Sequence, residues 1–548
     1  MIALLHRADW TRLALSGEVT GAGPSLSPAI GDMWPDAVRT VFPQAKTAAS
    51  TLAATLRIAP GGRYRWDDGE VVAGSDGTRA WQWMVDTAPE ELAGRWAGGT
   101  PPAATLLCPA WLLTSCELEV EGWATACGRD GIRVSATPRH VARALHRSQS
   151  GQGERNRPAF GYAHLHAIID AELGILLHCA KADETRAQPI EFTALTVGAA
   201  APATAFNPPA GSHVEPLTPV SAGGAAAGAA LTSGTVKALA KIAADGLSAV
   251  LRYWPLRFSS RAAGRTTASM PADDPAPGPD AYPTPASDEV LRLLYRGGAS
   301  VPAFTATLHQ WANNAPFVAA VPEAVRAAGV GGIGYLTDSL AREGDVTVHT
   351  ESRARISGWF RYQLERTPLP PVATAGPSAP GTAGPPLIAC NGDRYWEVRA
   401  DRVSIASPRP APPQLADLTD ASWLLGCALS EGEPTVVDGR AARRLAVNGA
   451  AEQSELLVFG LSAVAVVDEE TGRLLRFTCY GAGQPAFRWE LRDVEEAAGD
   501  GGWDFAFDAP AGLRVVHIGA DDDRPTAPLR VSKDAGRSTS TGGWRRIG

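Results

Sequence analysis

Across 548 residues the sequence has no Gly-x-Ser-x-Gly elbow, no P-loop and no His-Glu-x-x-His helix. Serine-hydrolase, P-loop nucleotide and zinc-protease chemistry therefore have no foothold in it. Long apolar runs are missing too: the most apolar stretch, Ala222 to Leu231, is far too short to span a bilayer. Lys and Arg nowhere cluster in the way that tracks a phosphate backbone, and a net charge of −8 is mild for this length, so nucleic acid is not an expected partner. Cysteine is scarce, seven residues without a Cys-x-x-Cys pair. That excludes a disulfide scaffold and reads as reduced, mostly buried thiols. The N-terminus, MIALLHRADW, shows no basic leader, long apolar segment or small-residue cleavage site; the expected location is the cytoplasm.

What the chain does have is length, glycine and proline, and a repeated phrase. A single core stops growing at roughly 250–300 residues, so two domains are expected, with many of the 57 Gly and 43 Pro in linkers and turns. PAWLLTSCELEVEG (Pro109 to Gly122) returns as DASWLLGCALSEGE (Asp420 to Glu433). Upstream of these stand DGTRAW, ending at Trp81, and NGDRYW, ending at Trp396. Downstream, CGRDGIRVSATPR from Cys127 parallels DGRAARRLAVNG from Asp438. IIDAELGILLHC (Ile168 to Cys179) parallels VVDEETGRLLRF (Val466 to Phe477), and FNPPAGS from Phe206 parallels FDAPAGL from Phe507. Five landmarks in one order at nearly one spacing make the chain an internal duplication. In the Asp-x-x-x-Gly pair, Asp opens a turn and Gly takes its left-handed end, which is hairpin chemistry.

Each copy is a succession of short β runs broken by turns, which predicts a meandering antiparallel sheet with few helices. SDEVLRLLYRGG is one helix, with Ser287 as N-cap and Val290, Leu291 and Leu294 on one face. Shorter helices are expected at Met33 to Phe42, Pro322 to Ala328 and Asp338 to Arg342. The predicted organisation is a first domain over 1–215, an Ala/Gly/Pro-rich linker over 216–286 with unstructured ends, a second domain over 287–520 and a disordered tail over 521–548. An amphipathic helix at about 235–256 sits in the linker: Val236, Leu239, Ala243, Leu247, Val250 and Trp254 fall on one face. It either packs on one domain or fills a groove as a surrogate ligand. A Pro-rich insertion is expected over 367–386.

Three weaker signals carry possible chemistry. GVGGIG (Gly329 to Gly334) fits a dinucleotide fingerprint formally but follows a helical run instead of a strand, so it reads as a helix stop. His164, His166 and His178 fall on one sheet face if Ile169 faces Ile175 across the turn, which puts His166 opposite His178. They are a metal site or, without a carboxylate or thiolate to complete it, ordinary surface histidines. Sixteen tryptophans are many, and Trp81, Trp83, Trp111, Trp396 and Trp423 lie in the matched segments, read as strands. They plug the core of a curved sheet or line an apolar groove that takes a greasy or peptide ligand.

The Asp/Asn-Gly-x-Arg-x-Trp strand, the Trp-Leu-Leu segment, the hairpin at Asp468 to Leu475 (less faithfully Asp170 to Leu177) and the closing Phe-x-x-Pro-x-Gly at Phe206 to Gly211 and Phe507 to Gly512 resemble the LolA-like and RseB-like superfamily of lipoprotein carriers and sigma-factor regulators. The resemblance implies a mainly β (α+β) fold, two tandem curved, half-closed antiparallel sheets each wrapped on a few helices, with an apolar concave side. It implies no catalytic residues. The expected function is a non-enzymatic cytoplasmic binding protein, holding a hydrophobic ligand such as an acyl chain, lipid or apolar protein segment in one or both concave faces. Trp81, Trp83, Trp111, Trp396 and Trp423 are its candidate contacts, with no metal and no cofactor. The alternative is a protein–protein assembly or regulatory module without a small-molecule ligand.

Overall fold

The computed structural model describes residues 1–21, 53–69, 71–84, 103–139, 164–182, 189–198, 201–210, 212–216, 264–266, 270–271, 273–278, 280–297, 303–320, 347–366, 387–398, 402–408, 411–448, 462–499, 501–503, 505 and 513–517. The helices expected at 33–42, 235–256, 322–328 and 338–342 lie outside these residues, as do the Gly-rich run 329–334, the insertion 367–386 and the tail 521–548.

The first copy contributes β1 (Leu15–Thr20), β2 (Ala54–Ala59), β3 (Arg63–Asp67), β4 (Val71–Asp76), β5 (Arg79–Met84), β6 (Cys116–Ala126), β7 (Arg129–Pro138), β8 (Leu165–Asp170), β9 (Leu176–Lys181), β10 (Ile190–Val197) and β11 (His213–Pro216). They form one sheet in the order β11-β5-β4-β3-β2-β1-β10-β9-β8-β7-β6, antiparallel throughout. After β12 (Gly264–Thr266) and β13 (Thr284–Pro285) come β14 (Phe304–Asn313), β15 (Thr347–Gly358), β16 (Arg361–Arg366), β17 (Leu387–Asn391), β18 (Tyr395–Val398), β19 (Arg402–Ala406), β20 (Ala428–Val437), β21 (Arg440–Asn448), β22 (Ser462–Asp468), β23 (Leu474–Gly481), β24 (Gln484–Glu496) and β25 (Arg514–His517). The second sheet runs β13-β20-β21-β22-β23-β24-β14-β15-β16-β17-β18-β19-β25, with β12 beside β15. Among the described strands only β19 and β25 pair in parallel. In both sheets the first strand of the copy is sandwiched between the second and the last of the meander: β1 between β2 and β10, β14 between β15 and β24. The duplication read from five short landmarks is therefore a duplication of topology.

Alternation builds one buried face per sheet. In β1, Leu15 and Val19 are buried while Glu18 is exposed; in β2, Leu56 and Ile58 alternate with exposed Thr55 and Arg57. Short helices cover these core faces: α1 (Ile2–His6), α2 (Ala104–Leu107), α3 (Ala110–Ser115), α4 (Asp288–Gly297), α5 (Asn314–Ala320) and α6 (Pro413–Thr419). The Ser287 hydroxyl accepts the Val290 N–H, and Val290, Leu291 and Leu294 are buried, as the sequence predicts.

The repeated Trp-Leu-Leu phrase departs from expectation. Trp111 lies in helix α3 and Trp423 in a 3-10 turn, Ala421–Gly426, not in strands. Adjacent leucines must both be buried here (Leu112 and Leu113, Leu424 and Leu425). A strand would send one of each pair to the opposite face, whereas a helical turn keeps both inward. Asp420 caps the second turn by accepting the Ser422 N–H. The two phrases also touch each other, since α3 packs on the Ala421–Gly426 turn, flanked by α1 and α4. Leu5, Leu112, Leu113, Leu291, Leu294 and Leu424 belong to one continuous core that joins both copies. Polar contacts finish this seam. His6 Nδ1 donates to the Leu425 carbonyl (2.9 Å), the Leu118 N–H to the Tyr295 hydroxyl (2.6 Å), and Arg139 to the Tyr295 carbonyl (3.1 Å). Burial at the seam lowers the His6 pKa.

The end of the Ala/Gly/Pro-rich linker also differs from the unstructured run expected of it. Residues 270–271, 273–278 and 280–285 lie along the second sheet, the first of them on its outer face. There Asp274, 1% exposed, accepts from Arg476 and Arg444, and Arg488 donates to the Pro271 carbonyl. Tyr282 packs on Ala446, Val464 and Tyr480. Composition predicted disorder because the anchoring is done by two polar residues and one aromatic, a signal too sparse to outweigh the prolines.

Candidate functional site

The β6–β7 hairpin turns on Cys127 and Gly128 (φ 43° and 78°), matched in the second copy by Asp438 and Gly439 (φ 52° and 77°). Two successive left-handed residues make the tight turn whose twist suits a hairpin. At its base Arg129 ion-pairs with Asp170 and with Glu172 (2.9 Å), and Asp170 also accepts the N–H groups of Glu172 and Leu173 (2.9 and 2.8 Å). Arg440 and Asp468 repeat the arrangement, with the N–H groups of Glu470 and Thr471. Burial alone would raise both aspartate pKa values, but the arginine and the backbone donors outweigh it and hold them below the usual carboxylate range.

Both hairpins carry a bulge at the same place. The register passes from Val120↔Val134 to Gly122↔Arg133 in the first and from Glu431↔Leu445 to Pro434↔Arg443 in the second. Position by position, Val120 therefore matches Glu431, Trp123 matches Pro434, and Ile132 matches Arg443. Val120 stands in a row with Val134, Ala167 and Cys179, and Trp123 in a row with Ile132, Ile169 and Leu176. Paired residues share a face, and Val134, Ala167, Cys179, Ile169 and Leu176 are core. Val120 and Trp123 thus project from the core face, yet they are 55% and 77% exposed. The second copy has charged residues at two of these positions and exposed Pro434 at the third. Glu431 accepts the Ser287 N–H (3.1 Å) and an Arg443 N–H (2.9 Å), and Arg443 reaches Glu469 (2.5 Å). Val120, Trp123 and half-buried Ile132 thus form an apolar trio at the sheet's rim, found in the first copy alone, while the second exposes Val436 (69%) on its own hairpin.

Of the five tryptophans named from the sequence, the four whose side chains are described do not share one cleft. Trp81 is fully buried, its indole N–H donating to the Phe206 carbonyl (3.2 Å). Trp396 is buried against Ala389 and Val403. Trp111 and Trp423 are half-buried at the seam, Trp423 edge-on to Phe477 with centroids 5.2 Å apart and its N–H on the Asp417 carbonyl. Trp83 pairs with Val72 in the β4–β5 ladder; its side chain lies outside the described set. Trp123 was missed because Gly122 interrupts the alternation of β6, so no face could be assigned to it from spacing.

The three histidines do not stand as counted. A bulge sets Ile169 opposite Leu176, not Ile175, so His178 faces Ile168 and His166 faces Ala180. Each has its own partner: His164 meets Thr137 (3.1 Å), His166 meets Glu121 (3.4 Å) and His178 meets Glu191 (2.7 Å). Arg476 and Glu490 repeat the last pair in the second copy. Among the described residues no three His, Cys, Asp or Glu side chains group as metal ligands. A cavity of about 190 Å³ lined by Thr55, Arg57, Arg65 and Asp67 is polar and lies on β2 and β3, away from the rim.

The described chain is thus a mainly β protein of two unclosed antiparallel-dominant sheets, in which one rim presents apolar side chains to solvent. No protein-family profile matches it, and no characterised protein matches it in sequence. Solved structures do. A Pseudomonas aeruginosa MucA/MucB complex is similar at 16% identity and a TM-score of 0.22, over 39% of this chain and 62% of that one. LprF from Mycobacterium bovis is similar at 10% identity and a TM-score of 0.21, over 41% and 98%. A LolA superfamily protein from Nitrosomonas europaea is similar at 9% identity and a TM-score of 0.17, over 38% and 93%. The chain spans about three-fifths of the length of the MucB chains it matches. The last of these is a protein of the LolA superfamily, which the sequence motifs resemble.

Proposed function

We propose that the chain is a non-enzymatic binding protein that takes an apolar ligand, an acyl chain or an apolar protein segment, against the core-face rim of its first sheet. One observation carries the reading. At three matched positions the second copy has Glu431, exposed Pro434 and Arg443, while the first has exposed Val120 and Trp123 beside half-buried Ile132. Structure alone does not call for an exposed tryptophan there, since Pro434 in the second copy supports the same hairpin. Solvent-facing apolar side chains continuous with a core are what a binding surface offers. Cytoplasmic residence is part of the proposal, supported by seven cysteines that are all thiols.

The test is equilibrium binding of a fluorescent fatty-acid probe to the full chain and to Trp123→Ala. Trp123 exposes roughly 150 Å² of indole, and burying it stabilises a complex by about 2–4 kcal/mol. Allowing for imperfect contact, the variant should bind at least about tenfold more weakly. Equal affinity would remove the rim from the reading. Protein docking without a small molecule is the second reading, favoured by the outer edge of β6, which no strand among the described residues pairs.

A further inference from the structure

We infer that His309 and His349 form an acid-sensitive latch: protonating both imidazoles frees the described residues of 264–278, a strap, from the outer face of the second sheet. The latch is independent of the rim in the first copy. Phe304, Ala306 and Leu308 of β14 belong to the core, so His309 and Trp311 stand on the outer face. The ladder sets His349 of β15 opposite Trp311. His309 Nδ1 and His349 Nε2 lie 3.2 Å apart and share one hydrogen bond. Their rings are parallel within 6°, and Trp311 stacks on both, its centroid 4.5 Å from His349 and 5.3 Å from His309. From β24 the Arg488 guanidinium lies over the same indole at 5.5 Å. The strap holds both ends of this stack. β12 pairs with β15, Gly264 opposite His349, and buried Arg488 donates to the Pro271 carbonyl and to Asp273, each at 2.9 Å. A shift of the imidazoles therefore reaches both anchorages.

Charge decides what acid does to the pair. Two neutral rings need one N–H between them; a proton on each sets two donors face to face with no acceptor between. Facing the pair are Glu351 from β15 and Glu490, Arg488, Arg492 and Asp493 from β24. Arg265, the charged residue of β12, stands opposite Val348, one position off this row. Glu490 already accepts from Arg476, Arg488 and Arg492, and Asp493 from the Thr307 hydroxyl. Among the described residues Glu351 is thus the carboxylate left to answer an imidazolium, and it can answer one, not two. Burial and Arg492 lower the His309 pKa in spite of the three carboxylates, and burial, with His309 and Arg492 beside it, brings His349 down to about 4. Opening returns each ring toward its ordinary value near 6.5. A lowered pKa stabilises the closed form fully above that value and loses the stabilisation as pH falls below it. Through His349 alone, going from pH 7.5 to about pH 5 should raise the opening equilibrium about 20–30-fold.

Hydrogen–deuterium exchange of the full chain, read by mass spectrometry on peptides within 264–278 and corrected for the intrinsic rate at each pH, measures the opening. Protection of these peptides should fall at least about tenfold between pH 7.5 and about pH 5, while peptides of the β6–β7 hairpin keep theirs. His309→Gln combined with His349→Gln removes both titrating rings and keeps hydrogen-bonding side chains, so its strap protection should no longer depend on pH. Glu351→Gln removes the counter-charge without touching either ring, and should enlarge the acid effect. Protection within about twofold at the two pH values in the native chain would overturn the latch. So would an acid effect equally large in the double variant, one shared equally by the β6–β7 peptides, or one that Glu351→Gln leaves unchanged or reduces.

Discussion

Asp274→Ala is the sharpest way to ask whether residues 270–285 belong to the second sheet. The Asp274 carboxylate is 1% exposed and accepts two contacts from Arg476 at 3.2 Å and one from Arg444 at 3.3 Å. Arg476 is itself 9% exposed and retains Glu490 at 3.0 Å. Removing one member of a buried pair costs about 3–5 kcal/mol because the other charge is left desolvated. With Glu490 still in place, the low end, about 3 kcal/mol, is expected. For a folding unit of about 150–250 residues, each kcal/mol moves the melting temperature by about 2–4 °C, so the variant should melt roughly 6–12 °C lower. Thermal melting followed by circular dichroism reads the shift, and limited proteolysis should cut the variant within 270–285 where the native chain resists. Asp273, half exposed and bonded to Arg488 at 2.9 Å, serves as the control, with an expected loss of about 1 kcal/mol or less. A shift under about 2 °C for Asp274→Ala, with native protease resistance, would refute the packing of this segment on the sheet.

Three further outcomes follow from the same coordinates. Gly472 has φ +74°, and a Cβ there would lie 2.4 Å from the Leu293 carbonyl; Gly472→Ala should cost about 2 kcal/mol or more in a melt, and an unchanged melt would contradict the close approach of hairpin and helix α4. Asp170, Asp468 and Glu490 have folded pKa values below their unfolded ones, each through arginine contacts that outweigh burial. Their stabilisation is present above about pH 4 and disappears as pH falls through the folded values, so melting temperature should drop below that pH, and less steeply in Asp468→Asn. Burial pushes the Cys116 and Cys179 thiols up to about 12, and burial raises the Cys127 thiol too, but Cys127 is only half-buried; iodoacetamide at pH 8 should, through access, label Cys127 before Cys116 and Cys179 by peptide mass spectrometry.

The duplication, the hairpins and the antiparallel class were legible because turn chemistry is local: Asp170 and Asp468 with their glycines announce the same turn in any context. What escaped the sequence was set by distant partners. The Trp-Leu-Leu phrases read as strands because their neighbours are strands, but two adjacent leucines can both face inward only on a helical turn, and the surface that demands this is the other copy's phrase. One bulge between Ile168 and Ile169 was enough to shift the histidines. A second, at Gly122, hid Trp123, the residue on which the candidate site now turns. The tryptophans that were visible, Trp81 and Trp396, stood out because they belong to the repeat; the residues that distinguish the first copy are those that do not repeat.

The central claim is that the first copy binds through Val120, Trp123 and Ile132, where the second carries Glu431, Pro434 and Arg443. The most direct test converts one into the other: Val120→Glu with Ile132→Arg gives the first copy the residues of the second at matching positions. Both sites are exposed or half-buried, so the fold should persist. Titrated with a fluorescent fatty-acid probe, the double variant should lose about tenfold or more in affinity relative to the native chain. Native affinity in the double variant would contradict the account.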